Sequence, residues 1–167
     1  MSDIFEFAMQ MELDGKAYYE KMASETKVPA LQKILKGLAD DEQRHYNIFK
    51  LLKEHHGDQL GELSEKNTLI MSTTKNVFQE MKDSGHSLVD QEEVIAVWKQ
   101  AQDVEKKSED FYREKAKEVD DPKGSEMLNR IADEEAKHWA VIESVMQFLN
   151  KPNTYLEDAE FSNLDEF

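Results

Sequence analysis

A chain of 167 residues can bury one apolar core without a disulfide, and its formal net charge of −15 repels a polyanion, so nucleic acid is excluded as a partner. The complete absence of cysteine excludes disulfides, zinc ribbons, iron–sulfur clusters, thiolate nucleophiles and a rubredoxin-type iron site, so any metal must be held by oxygen and nitrogen. No apolar run approaches the roughly 18 residues that cross a bilayer, and Asp3 and Glu6 stand where a signal peptide would be basic and then apolar; the expected location is the cytoplasm, with no membrane.

Three prolines and six glycines interrupt a sequence rich in Glu, Lys, Leu, Ala and Met, and its apolar residues recur at three- and four-residue steps, which predicts helix. A first stripe runs Phe5, Ala8, Glu12, Gly15, Tyr19, Met22. A second, with Pro29 in a first helical turn, runs Leu31, Ile34, Leu35, Leu38, Glu42, His45, Phe49, Leu52. From Gly57 to about Val89 the chain must cross over, with a short helix expected over about Thr68 to Met81 that buries Val77, Phe78 and Met81. A third stripe runs Val94, Trp98, Ala101, Glu105, Ser108, Tyr112, Ala116, and Asp90 with Glu93 forms a capping box at its start. A fourth, opened by Pro122 and closed by Pro152, runs Leu128, Ile131, Glu135, His138, Ile142, Val145, Leu149. The expected architecture is all-α: a four-helix bundle of two helical hairpins over residues 3–150, within a single domain 1–167 whose acidic tail, 151–167, docks or frays.

Shifting the first half by 93 places lays it on the second half without a gap. Glu12 falls on Glu105, Tyr19 on Tyr112, Ala23 on Ala116, Pro29 on Pro122, Asp40 on Asp133, Glu42 on Glu135 and His45 on His138. The chain reads as a duplicated helical hairpin.

Six residues that belong outside a bundle sit in the middle of its apolar stripes: Glu12, Glu42, His45, Glu105, Glu135 and His138. Four uncompensated carboxylates in a core would cost several kcal/mol each, and their repulsion would force proton uptake. Two divalent cations balance four carboxylates, and the i, i+3 spacing of each Glu-x-x-His puts both side chains on one helix face. A mixed carboxylate and imidazole set suits iron first and manganese second, rather than calcium or structural zinc. Gly15 and Ser108, each three residues after a helix glutamate, leave space through which a small oxidant can enter. Tyr19 and Tyr112 can hydrogen-bond ligand carboxylates, with core packing as the plain alternative; Asp41 and Glu134, one turn before each histidine, are weaker candidates for the same supporting role. Trp98, Trp139 and Tyr46 read as core or helix-contact aromatics, His55, His56 and His86 as solvated, and the eight methionines as packing.

At these residues the sequence resembles the ferritin-like di-iron carboxylate superfamily, whose pattern is one Glu from each of two helices and Glu-x-x-His from each of the other two. Within it the resemblance is to the rubrerythrin family more than to classical ferritin, and it covers about residues 3–150. It implies that Glu12 and Glu105 are the single-helix ligands, that Glu42 and Glu135 bridge two irons, and that His45 and His138 are terminal ligands. Two departures stand out. Rubrerythrins usually carry a further glutamate where this chain has Ser108, and they commonly carry a cysteine-ligated rubredoxin domain.

The resemblance implies a stand-alone non-haem di-iron oxidoreductase, a homodimer that reduces peroxide, or dioxygen more slowly, and is re-reduced by an external donor such as a rubredoxin-like protein. Two other readings stand beside it: a ferroxidase that handles or stores iron, and a structural bundle with a vestigial site.

Overall fold

The duplicated stripes fold as two antiparallel hairpins laid against each other. The computed structural model describes residues 2–61, 63, 66–84 and 92–150. Five α-helices lie among them: α1 (Ser2–Glu25), α2 (Pro29–Lys53), α3 (Ile70–Ser84), α4 (Glu92–Glu118) and α5 (Pro122–Asn150), with a 3₁₀ turn at Gly57–Gln59. Helix α1 pairs with α2, α4 with α5, and the crossover helix α3 packs on α2 and α5. This is the all-α, ferritin-like bundle expected. None of the helices described is long and apolar enough to cross a membrane.

Local chemistry sets the helix ends. Pro29 opens α2 after an extended Val28, and Pro122 opens α5. The Asp121 side chain accepts from the backbone N–H groups of Lys123 (3.2 Å) and Gly124 (3.3 Å), which caps α5. At the other end of α2, His55 turns left-handed at φ 61°, and the backbone N–H of His56 donates to the Leu51 carbonyl at 2.7 Å. Lys50 and Lys53 complement the dipole in that last turn.

The crossover helix begins at Ile70, whose backbone N–H is capped by the Thr68 hydroxyl at 3.1 Å. Val77, Phe78 and Met81 are buried as the periodicity predicts, and Phe78 stacks on Phe148 of α5 with centroids 5.1 Å apart. Gly37 admits α3: a Cβ there would meet Ile70 Cδ1 at 2.9 Å. Trp98 is buried, and Trp139, expected as a core or helix-contact aromatic, is 36% exposed and lies outside the core. Its position follows directly after His138 on α5, and the helical period turns it outward while His138 turns in. His55 and His56 are exposed as expected. The capping role of Asp90, His86, Pro152 and the tail 151–167 lie outside the described residues.

Two apolar clusters form the core. One gathers Leu35, Leu38, Phe78, Trp98, Ile142 and Phe148; the other gathers Phe5, Phe49, Leu52, Tyr112, Leu128 and Ile131. The glutamates and histidines of α2 and α5 fall in the register between them, so the polar centre is closed by apolar packing at both ends.

Phe78→Ala is expected to lose about 3–5 kcal/mol of stability, while Leu69→Ala, at a position 74% exposed, changes it by less than about 0.5 kcal/mol. Urea unfolding of the two variants checks this.

Candidate metal centre

All six side chains expected to hold metal meet at mid-height, each no more than 4% exposed. Glu12 comes from α1, Glu42 and His45 from α2, Glu105 from α4, and Glu135 and His138 from α5. They form two groups, Glu12, Glu42, His45, Glu135 and Glu42, Glu105, Glu135, His138, in each of which one ligand-type atom per residue lies within 4.8 Å of the others. Glu42 and Glu135 belong to both. The two imidazoles lie nearly parallel, with ring centroids 6.0 Å apart.

The inner atoms crowd together with little to bind them. His45 Nδ1 is 3.3 Å from Glu12 Oε2 and 3.0 Å from Glu135 Oε1, and His138 Nδ1 is 3.3 Å from both Glu42 Oε1 and Glu105 Oε1. Seven buried side-chain atoms among the described residues have no hydrogen-bond partner, and five belong here: Glu12 Oε2, Glu42 Oε1, His45 Nδ1, Glu105 Oε2 and Glu135 Oε1. Each such orphan costs about 1–3 kcal/mol unless something electropositive meets it. Oxygen and imidazole nitrogen converging from four helices is the donor chemistry of a transition metal such as iron, so the residues fit the group.

The outer bonds cross between the repeats. Tyr19 of α1 donates its hydroxyl proton to Glu105 of α4, and Tyr112 of α4 donates to Glu12 of α1 at 2.7 Å. Asp41 of α2 faces His138 Nε2 of α5 at 2.9 Å, and Glu134 of α5 faces His45 Nε2 of α2 at 3.0 Å. All four supporting residues named from the sequence therefore reach the cluster, each through the opposite hairpin.

Two contributors escaped the sequence reading. Arg44 pairs with both Asp41 (3.4 Å) and Glu134, and the Thr68 hydroxyl donates to Asp41. Arg44 directly precedes His45 but breaks the repeat, since its counterpart is Lys137. A lone arginine at the edge of an acidic stripe was the available signal.

Between α1 and α4 a cavity of about 300 Å³ leads inward to Glu42, Glu105 and Glu135. Gly15 and Ser108 both line it, with Met11, Ala101 and Val104 as apolar walls. Gly15 does more than leave space: a Cβ would stand 2.8 Å from Glu42 Oε2, so a larger residue would push on that carboxylate.

The electrostatics follow from crowding. Burial and then the Glu12 and Glu105 carboxylates push the Glu42 carboxyl well up, and burial with Glu105, Glu42 and Glu12 does the same to Glu135. Burial opposes charge on the histidines too, but Glu12 beside His45 and Glu105 beside His138 outweigh it and raise both well above the ordinary value. Burial would also raise Glu105, Asp41 and Glu134. Instead His138 holds Glu105 down, His138 and His45 hold Asp41 down, and His45 with Arg44 lowers Glu134 to about 2. Tyr19 and Tyr112 are raised by burial and the surrounding carboxylates, so their phenols stay protonated donors.

The family model described as Rubrerythrin matches residues 3–146. No curated protein and no solved structure gives a significant match to the chain.

In chelator-treated protein, Glu42, Glu135, His45 and His138 bind protons more tightly folded than unfolded. Their stabilisation is complete below the unfolded values of 4.5 and 6.5 and is lost as pH rises through the raised folded values. The lowered carboxyls Asp41, Glu105 and Glu134 act oppositely, losing theirs only as pH falls below the ordinary carboxylate range. The melting temperature of stripped protein should therefore fall by about 5 °C or more from about pH 6.5 to pH 9, and bound divalent metal should flatten the curve. Calorimetry at the two pH values, with and without Fe(II) under anaerobic conditions, checks the difference.

Proposed function

The chain belongs to the rubrerythrin family, and from that premise we propose that it is a non-haem di-iron oxidoreductase that reduces hydrogen peroxide, or dioxygen more slowly. The observation that carries the reading is the pair of four-residue groups sharing Glu42 and Glu135. In it Glu12 and His45 would hold one iron and Glu105 and His138 the other, with Glu42 and Glu135, the members common to both groups, placed to serve both. When bound, two Fe(II) ions supply one electron each, so that peroxide and two protons become two waters while both irons become Fe(III).

The residues of the chain provide geometry and electrostatics for that exchange. Four carboxylates in a dry core stabilise the more highly charged oxidised state. Tyr19 and Tyr112 hold Glu105 and Glu12 by hydrogen bonds from the far side, and Asp41 and Glu134 hold the histidines with Nδ1 inward. The cavity beside Gly15 and Ser108 gives a small oxidant a way in. With no cysteine for a second iron centre and no glycine-rich dinucleotide signature, the electrons for turnover come from an external donor such as a rubredoxin-like protein. Assembly as a homodimer and action in the cytoplasm belong to the same proposal.

Reconstituted protein is expected to hold two irons per chain, and Glu42→Ala should lower that content while Glu80→Ala, at an exposed position, should not. Metal analysis after anaerobic loading reads both; fewer than one ion per wild-type chain would sink the reading.

The reduced protein mixed with excess peroxide should consume about one peroxide per di-iron site in a burst and then stop until a rubredoxin-like or artificial donor is added. Stopped-flow absorbance with parallel peroxide assay measures it. Continued consumption without donor would mean disproportionation, and a mineral growing with added Fe(II) would mean iron storage.

A further inference from the structure

Among the described residues, Arg44 is the one cation that touches the outer support of both histidines. Its Nη2 lies 3.4 Å from Asp41 Oδ1 and also donates to Glu134 Oε1, and its Nη1 donates to the Lys66 carbonyl at 3.2 Å. Asp41 meets His138 Nε2 at 2.9 Å and Glu134 meets His45 Nε2 at 3.0 Å. The chain Asp41–Arg44–Glu134 thus links a histidine of α5 to a histidine of α2 across the hairpin boundary. The arginine is largely enclosed, with 13% of its side chain exposed, so solvent screens these contacts little.

The geometry points to Arg44 as a positioning residue that sets both metal-facing imidazoles at once, by fixing the two carboxylates that hold their Nε2 protons. A carboxylate bonded to Nε2–H keeps the proton on that nitrogen and leaves the Nδ1 lone pair for the cluster. Arg44 ties down the oxygen of each carboxylate that does not face a histidine in Glu134 and Asp41, so neither can rotate away. By drawing on their negative charge it also limits how strongly they pull on the Nε2 protons, and hence how electron-rich the imidazoles become. The repeat does not supply a second copy. The counterpart of Arg44 is Lys137, and an ammonium lacks the planar fork that spans several acceptors.

This inference rests on the di-iron reading above, and its test separates the two. Wild type, Arg44→Gln, Arg44→Lys and Glu134→Gln are loaded with Zn(II), and metal content and the NMR signals of the two histidine Nε2–H groups are recorded. Arg44→Gln should shift both signals, Arg44→Lys should shift both by less, and Glu134→Gln should shift chiefly that of His45. In the iron form, Arg44→Gln should move the Fe(III)/Fe(II) balance about tenfold toward Fe(III), equivalent to about 59 mV for one electron, because the imidazoles donate more strongly and a positive charge is gone. Arg44→Lys, which keeps the positive charge, should show little of that shift. If Arg44→Gln does not fold, the Lys and Glu134 variants carry the comparison. Normal metal content with both histidine signals unmoved in the Arg44 variants would overturn the role of Arg44 alone, whereas wild type that takes up no metal would overturn the di-iron reading and this inference with it.

Discussion

Four carboxylates confined between two apolar clusters are the constraint on which the rest of this molecule depends. Burial and the neighbouring carboxylates disfavour charge on Glu42 and Glu135, which lie at the centre of both groups and are driven toward their protonated forms. The surroundings are arranged to supply positive charge or protons from outside: phenol O–H groups to Glu105 and Glu12, imidazoles to the inner oxygens, and Arg44 to the outer carboxylates. Five inner atoms still have no hydrogen bond. A metal centre resolves that deficit with the fewest groups, because one divalent cation meets several oxygens at once.

The hairpin duplication makes such a cluster attainable. A single Glu-x-x-His hairpin offers only half the donor set; two related by the repeat bring the halves face to face, with the imidazoles 6.0 Å apart. The supporting bonds then cross the interface, Asp41 to His138, Glu134 to His45, Tyr19 to Glu105 and Tyr112 to Glu12. Each hairpin therefore orients donors of the other, and docking of the hairpins and completion of the site are one event. The crossover joins in through Thr68, which caps α3 and bonds Asp41 with the same hydroxyl.

Departures from exact repetition mark where the two halves differ in chemistry. Gly15 and Ser108 occupy matching positions on the cavity wall, yet a Cβ at Gly15 would come within 2.8 Å of Glu42 Oε2 and push on that carboxylate. Arg44 serves both halves while Lys137 stands in its matching place. Such single-copy residues are hard to notice in a sequence read for symmetry, because the repeat draws attention to what recurs.

Helix content, the two hairpins, the crossover helix and the six clustered residues were all legible in the sequence. Glu and His interrupt apolar stripes at helical spacing and do so twice in one register, and that periodicity is a local property of the chain. Aromatic character leaves Trp139 open to core packing or helix contact, and its position next to the inward-facing His138 turns it out of the core. Which carboxylate supports which histidine, how closely Gly15 approaches Glu42, and that Arg44 and Thr68 take part were decided only by the tertiary structure. Those facts depend on distances between helices that are far apart in the chain, and no spacing along one helix encodes how another will approach it.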